Sequence, residues 1–154
     1  MILSGNKAVA KDYIEGIKML SNMRLCSNVP AQSIVQTALG GHQSVESYIV
    51  PGGRIYEQRE FIYNALKDIP GITVKKPRAA FYIFPKIDTE RFHITNDEQF
   101  ALDFLREKRV LVVNGKGFNW TQPDHFRIVY LPNIRQLEEA TGKLKDFLST
   151  YRQK

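Results

Sequence analysis

The sequence has very little cysteine and no long apolar run, and each of these features excludes a class of protein. No stretch of the 154 residues approaches the roughly 20 apolar residues that a membrane-spanning helix needs. The opening Met1–Gly5 is too short for the apolar region of a signal peptide. The single cysteine, Cys26, cannot form an internal disulfide, as is typical of a reducing compartment. We therefore expect a cytoplasmic protein with no membrane partner, and Cys26 as a small buried hydrophobic residue.

Motifs for several common kinds of catalysis are also missing. The histidines His42, His93 and His125 have no metal-ligand spacing with one another or with Cys26. There is no Gly-x-Ser-x-Gly segment to support a serine nucleophile. The loop Gly115–Gly117 lacks both the spacing and the following helix of a phosphate-binding loop, so turn-forming glycines are the favoured interpretation. No metal site is predicted.

The positive charge is substantial but spread along the chain. A net charge of +6 and a pI near 9.5 permit binding to nucleic acid or another anionic partner. The aromatic residues Phe81, Tyr82 and Phe84 could stack on bases, but their density favours a place in the core. A nucleic-acid partner is therefore not expected. A free-standing basic α+β domain that binds nucleic acid or a protein, without catalysis, remains the alternative function.

Apolar spacing and helix-capping signals predict several helices. Ser27–Pro30 begins one of them, and Gly40-Gly41 ends it. The predicted helices are residues 7–25, 27–41, a short turn after Ser44, residues 54–68, one that begins at 95–98, and one after residue 133. Predicted strands lie at residues 1–3, 72–76, 79–86, 110–113 and 124–132, of which 79–86 is expected to be central and covered on both faces and 110–113 to be buried.

One predicted strand, Asp124–Pro132, carries an arginine among apolar neighbours. Because side chains alternate along a strand, Phe126, Ile128 and Tyr130 face one way and Arg127 faces the other. A guanidinium in apolar surroundings needs an anion or solvent, because a buried unpaired charge is costly. On the residues alone, a structural Asp or Glu is a more frequent partner for such an arginine than a ligand.

Several segments, in this order, resemble the C-terminal part of a class I/II (aspartate-aminotransferase-like, fold type I) pyridoxal-phosphate-dependent aminotransferase. They are Pro77-Arg78-Ala79-Ala80-Phe81-Tyr82-Ile83-Phe84-Pro85, Val110-Leu111-Val112-Val113-Asn114-Gly115 with Phe118, and His125-Phe126-Arg127-Ile128. Met23-Arg24-Leu25-Cys26-Ser27-Asn28-Val29-Pro30-Ala31-Gln32 and Gly117-Phe118-Asn119-Trp120 are similar to the bacterial alanine (glutamate–pyruvate) branch.

The resemblance implies an α+β two-layer fold, the small C-terminal domain of such an enzyme. Residues 1–50 would be a leading strand fragment and interdomain helices, and residues 51–154 the small domain with a short mixed or antiparallel sheet covered mainly on one face. The cofactor would be pyridoxal 5'-phosphate, and the partners a missing N-terminal large domain and a second subunit. The substrates would be an amino acid, expected to be alanine, and 2-oxoglutarate.

The resemblance also implies site residues. Arg127 corresponds to the arginine that binds the substrate α-carboxylate, and Ala79, Asn114 and Phe118 are candidate pocket-lining residues. The family usually has glycine where this chain has Ala79, which adds a methyl group. The lysine that forms the Schiff base with the cofactor is absent from this chain, so the resemblance implies no catalytic and no cofactor-binding residue here and an isolated chain that is inactive.

Overall fold

The computed structural model of the chain describes residues 7–24 and 26–153. The chain divides into two compact units, Met1–Ser44 and Val45–Lys154. The strand predicted at residues 1–3 lies outside the described residues. Among the helices of the described ranges, none combines the length and the apolar character needed to cross a membrane.

Within the described residues, the first unit contains two α-helices. A 3₁₀ turn, Lys7–Ala10, precedes α1 (Lys11–Asn22), and α2 runs over Val29–Gly40. The side chain of Asn28 accepts a hydrogen bond from the Ala31 amide at 3.3 Å, so the predicted start of α2 is confirmed. Neither helix has a buried residue, and the prediction that Cys26 is buried is wrong, because the thiol is exposed.

The second unit contains five helices within the described residues, and two of them begin at the predicted capping signals. They are α3 (Val45–Ile49), α4 (Arg54–Lys67), α5 (Thr89–Phe92), α6 (Asp97–Lys108) and α7 (Ile134–Thr150). The Asn96 side chain accepts from the amides of Glu98 and Gln99 at the start of α6. Asn133 and Gln136 form a capping box at the start of α7.

Five short strands form two antiparallel sheets in the described part of this unit. They are β1 (Ile72–Thr73), β2 (Tyr82–Ile83), β3 (Lys86–Ile87), β4 (Val113–Asn114) and β5 (Phe126–Val129). One sheet pairs β1 with β3, and the other has the order β2-β5-β4. Helices and antiparallel strands together confirm an α+β fold.

The prediction of one central strand at residues 79–86 is only partly correct. Residues 79–81 are not in a strand, and the rest of the segment supplies β2, at an edge of the three-stranded sheet, and β3, which pairs with β1. A bridge between Lys86 and His125 continues the register of β2 on β5 as far as β3. Ala80 has a left-handed backbone (φ 57), and Pro85 has no amide to donate to a strand partner. Phe81 and Tyr82 are 38% and 40% exposed rather than part of the core. The central strand is β5.

The buried strand predicted at residues 110–113 is also only partly correct. Arg109 ends α6 in a left-handed conformation (φ 58), and the chain joins the sheet only at Val113. Val112 is buried, but Leu111 is 72% exposed. Strand β4 is at an edge of the sheet, and in the described chain no strand pairs with its outer side. An apolar segment is buried as a strand when it has a neighbour on each side.

The core lies between the three-stranded sheet and the helices. Helix α7 packs against α4 and α6, and Phe126 and Tyr130 of the central strand segment are fully buried beneath them. Phe100, Phe104 and Phe147 form tilted ring pairs in the same core. The alternation predicted for residues 124–132 is confirmed, and it leaves Arg127 on the face opposite these rings.

Candidate functional site

Arg127 lies on the central strand β5 between two aromatic rings. Its guanidinium carbon Cζ is 4.0 Å from the centroid of the Phe118 ring and 4.6 Å from that of Tyr82. The strand register explains the contact with Tyr82. Tyr82 pairs with Val129, and Val113 pairs with Arg127, so these four side chains share one face of the sheet. We call Tyr82, Arg127 and Phe118 the aromatic clamp.

The guanidinium has no acidic partner within the described residues. The Nε atom of Arg127 is buried and makes no hydrogen bond there, and no ion pair joins Arg127 to an Asp or Glu of the same ranges. The structural carboxylate that usually accompanies such an arginine is therefore missing from this part of the chain. The aromatic faces attract a cation but do not replace a hydrogen-bond acceptor.

Phe118 is placed by a loop with three anchors. The loop follows β4, and its 3₁₀ turn is Gly115–Phe118. The Gly115 amide donates to the His125 carbonyl oxygen at 2.9 Å, and the Lys116 amide donates to Oδ2 of buried Asp97 at 2.8 Å. A Cβ at Gly115 would lie 2.8 Å from that same carbonyl oxygen, so the close approach requires glycine.

The third anchor is Asp124, which accepts a hydrogen bond from the Trp120 indole Nε1 at 2.8 Å. His125 Nδ1 lies 2.7 Å from the same carboxylate, and Lys86 Nζ lies 3.3 Å from it. Burial alone would raise the pKa of Asp124, but hydrogen bonds from His125, Trp120 and Lys86 together outweigh it and hold that pKa below its usual value. Phe84 stacks on the His125 ring at 4.8 Å.

The three predicted pocket-lining residues have different positions relative to Arg127. Phe118 contacts Arg127 directly. Asn114 pairs with Phe126, so Val113 rather than Asn114 stands opposite Arg127 in the register. Ala79 is exposed and directly precedes the left-handed Ala80. The roles of Ala79, Asn114 and Phe118 towards a substrate stay predictions.

Tyr82 is the residue that sequence reasoning placed wrongly, in the core. The alternation within the segment separates Tyr82 from buried Ile83, and this signal was available in the sequence. The pairing of Tyr82 with Val129 was not available, because it joins residues far apart in the chain. That pairing is what brings the phenol ring to Arg127.

A groove beside the clamp combines lysines with aromatic rings. A cavity of about 580 Å³ is lined by Lys75, Lys76, Lys86, Tyr82, Phe84 and Trp120, among others. Lys76 pairs with Glu60 at 2.6 Å and Lys86 with Asp124 at 3.3 Å. Two of the three lysines are therefore neutralised within the fold.

The described residues contain no group of His, Cys, Asp and Glu that could hold a metal ion.

Comparisons with known proteins find close relatives, although no family model matches. The glutamate-pyruvate aminotransferase AlaA of Haemophilus influenzae is 60% identical over 99% of this chain, which covers 38% of that protein. The Escherichia coli AlaA is 54% identical over the same shares, and the Mycobacterium tuberculosis alanine aminotransferase is 50% identical, with 36% of its length covered. The chain is thus similar to these aminotransferases over nearly its whole length.

Solved structures agree with these relatives. An aminotransferase from Escherichia coli superposes on the whole chain with a TM-score of 0.86 at 54% identity, and 38% of that structure is covered. The alanine aminotransferase of Pyrococcus furiosus gives a TM-score of 0.75 at 40% identity, over 91% of this chain and 35% of its own. The chain spans less than two fifths of the aminotransferases it matches and corresponds to their C-terminal region.

Two lysines on elements that neighbour the clamp, Lys86 and Lys116, are 57% and 52% exposed. Each lies near a carboxylate, Asp124 at 3.3 Å and Asp97 at 3.9 Å respectively. A lysine that forms a Schiff base is usually desolvated, so these two lysines do not fit that role.

Proposed function

We propose that this chain is the C-terminal part of a pyridoxal-phosphate-dependent aminotransferase that exchanges amino groups between alanine and 2-oxoglutarate. In this proposal Arg127 binds the α-carboxylate of the substrate. The observation that carries the proposal is the half-buried guanidinium of Arg127, which lacks an acidic partner among the described residues. A substrate carboxylate would supply the missing anion, and the identity to alanine aminotransferases supports the reaction class.

Arg127 would bind and orient the substrate. A planar guanidinium can form two parallel hydrogen bonds with a carboxylate, which fixes the carboxylate plane as well as its position. An amino acid held in this way presents its α-C–H bond in one direction, and such alignment lowers the barrier to proton transfer. The amino acid and the 2-oxo acid carry the same α-carboxylate, so one arginine serves both halves of the exchange.

The remainder of the enzyme would lie outside this chain. Residues 1–50 would contribute interdomain helices and residues 51–154 the small domain, with its sheet covered by helices mainly on one face. A large domain would carry the cofactor, and the complete enzyme would be a cytoplasmic homodimer. Exposed apolar side chains on α1 and α2, such as Met19, Leu20 and Ile34, are consistent with surfaces that a complete enzyme covers.

Borohydride trapping tests the part of the proposal that concerns the cofactor lysine. The isolated chain is incubated with pyridoxal phosphate, reduced with borohydride, and analysed by intact mass and peptide mapping. We expect only scattered, substoichiometric adducts on exposed lysines. The complete Escherichia coli relative serves as the positive control. A stoichiometric adduct on one lysine of this chain would contradict the proposal.

A fused enzyme tests the reaction itself. The part of the Escherichia coli relative that precedes the matched region is joined to this chain, and the product is called the fused enzyme. We expect it to bind pyridoxal phosphate, seen by its absorbance, and to transaminate alanine with 2-oxoglutarate. A fused enzyme that binds the cofactor and uses other amino acids but not alanine would contradict the donor assignment.

The groove that contains Lys75 and Trp120 is the observation that favours the alternative function, nucleic-acid binding. A separate measurement distinguishes this alternative from the aminotransferase. Stacking of bases on Trp120 together with Lys75 would give salt-dependent retention on single-stranded DNA. Lys76 and Lys86 already pair with carboxylates. We therefore expect the wild-type chain and the Trp120→Leu variant to be retained equally on single-stranded DNA. Retention that this substitution and Lys75→Gln both abolish would favour the binding domain over the aminotransferase.

A further inference from the structure

We propose that Tyr82 and Phe118 are positioning residues that hold the guanidinium of Arg127 in one orientation. In that orientation a substrate carboxylate is bound by the two terminal Nη atoms and not through Nε. The inference rests on the proposed function, since it concerns the way in which Arg127 binds its substrate. It adds Tyr82, and it assigns which donors of the guanidinium bind the carboxylate.

The two rings approach Arg127 from opposite sides of its strand. Tyr82 lies on β2 and Phe118 follows β4, and these strands flank β5 in the sheet order β2-β5-β4. Both rings lie within 4.6 Å of the guanidinium carbon, a distance at which an aromatic face attracts a cation. Rotation of the guanidinium out of this arrangement would lose both contacts.

The buried Nε atom selects the binding mode. A guanidinium can present either the pair Nη1 and Nη2 or the pair Nε and one Nη to a carboxylate. The Nε atom of Arg127 is buried and has no partner among the described residues, while the residue as a whole is only half-buried. A carboxylate from solvent cannot reach Nε in this arrangement. The terminal pair is therefore the one that a substrate can bind.

The loop anchors keep Phe118 in place. Asp97 accepts from the Lys116 amide, and Asp124 accepts from the Trp120 indole, so the residues on both sides of Phe118 are fixed to other elements. Tyr82 is held by strand pairing with Val129. The clamp is thus prepared before a ligand binds, and such preorganisation reduces the ordering that binding would otherwise require.

Nitrogen NMR of the full chain tests the clamp directly. With ¹⁵N-labelled arginine, we expect the Arg127 Nε–H signal to be displaced by ring currents in the wild-type chain. Tyr82→Phe and Phe118→Tyr keep a ring and should preserve this displacement, whereas Tyr82→Leu and Phe118→Leu should reduce it. Because Tyr82 and Phe118 are 40% and 42% exposed, these variants are expected to fold, which circular dichroism checks. A wild-type Nε–H signal without displacement would overturn the clamp.

Replacing sodium chloride by sodium acetate at constant ionic strength tests the binding mode. We expect the Nη signals of Arg127 to shift and the Nε signal to stay. An Nε shift as large as that of Nη would overturn the assignment of donors. No shift at any Arg127 nitrogen, with the ring-current displacement intact, would contradict the proposed function and leave the clamp standing as a structural feature.

Kinetics of the fused enzyme separate positioning from chemistry. Tyr82→Leu and Phe118→Leu should each raise KM for alanine about three- to tenfold, the range expected for loss of one cation–π contact. The same substitutions should raise KM for 2-oxoglutarate in parallel, and Tyr82→Phe should restore the wild-type KM. Unchanged KM in both leucine variants, with Arg127→Lys impaired, would overturn the clamp alone. An unimpaired Arg127→Lys enzyme would refute the proposed function instead.

Discussion

Arg127 is held by two aromatic rings, whereas a half-buried arginine is more often held by a carboxylate. The rings attract the positive charge without occupying its hydrogen-bond donors. The terminal Nη donors thus remain available to an anion from outside the described residues. At the scale of the residue, the rings position the side chain, and the terminal donors are left to bind a ligand.

Asp124 is the acidic residue that organises the surroundings of the clamp. Its carboxylate accepts from Trp120 and lies next to His125 and Lys86. Because the pKa of Asp124 in the folded chain is lower than in the unfolded chain, the ionised carboxylate stabilises the fold. This contribution is fully present above the unfolded pKa of about 4 and is lost as the pH falls through the folded pKa.

We predict that Asp124→Asn makes the free energy of unfolding less dependent on pH below pH 5. The amide cannot ionise, so the variant has no stabilising charge to lose on acidification. Urea unfolding between pH 3 and pH 6 measures this slope, and Asp12→Asn, on an exposed position of α1, controls for the removal of one negative charge. A slope for Asp124→Asn equal to that of the wild-type chain would contradict this account.

At the scale of the element, helix ends could be predicted from sequence and strand pairing could not. The capping side chains Asn28, Asn96 and Asn133 act within a few residues of themselves, so local sequence contains the signal. The division of residues 79–86 between β2 and β3 depends on two partners outside the segment, β1 before it in the chain and β5, whose residues paired with β2 are more than 40 positions away. The apolar composition of this segment predicted one central strand, because composition does not indicate which strand each half of the segment pairs with.

The same limit applies to the candidate site. The resemblance identified Arg127 and Phe118 as candidates, and the structure brings these two side chains together. Tyr82 was assigned to the core, because the register of β2 on β5 that brings it to the guanidinium is a long-range property. The anchors Asp97 and Asp124 likewise act across the fold, from α6 and from the start of the β5 segment.

Two glycines of the second unit should respond in opposite ways to alanine. At Gly115 a Cβ would meet the His125 carbonyl oxygen at 2.8 Å, so Gly115→Ala should destabilise the chain by about 1–3 kcal/mol. At Gly142, within α7, a Cβ meets nothing within 4 Å, so Gly142→Ala should stabilise it by about 0.5–1 kcal/mol. Urea unfolding measures both. Equal effects of the two substitutions would refute the close approach at Gly115.

The C-terminal segment closes the start of α6 through Gln153. Its Oε1 accepts from the amides of Thr95 and Asn96 at 2.7 and 2.9 Å, and its Nε2 donates to the Asn96 carbonyl oxygen at 2.7 Å. Gln153→Ala should cost about 1–3 kcal/mol, because the amides of Thr95 and Asn96 lose the hydrogen bonds to this buried side chain. The same substitution at exposed Gln122 is the control. Equal stability of both variants in urea would contradict this role.

At the scale of the whole molecule, the proposed function makes the chain a segment of an aminotransferase that carries one half of a site. It covers 38% of the Haemophilus influenzae and Escherichia coli relatives. Arg127 has no acidic partner among the described residues, and Lys86 and Lys116, on elements that neighbour the clamp, are more than half exposed. In this proposal the rest of the enzyme supplies the cofactor lysine, so the reaction requires it.

The most direct test of the central claim is kcat/KM of the fused enzyme with Arg127→Lys. Lysine keeps the charge but loses the planar fork of donors, so kcat/KM for alanine should fall roughly 10- to 100-fold, the equivalent of one charged hydrogen bond. Arg135→Lys, on an exposed position of α7, should leave kcat/KM unchanged. The account predicts this difference between the two variants. Wild-type kcat/KM for Arg127→Lys, in an enzyme that binds its cofactor normally, would contradict it.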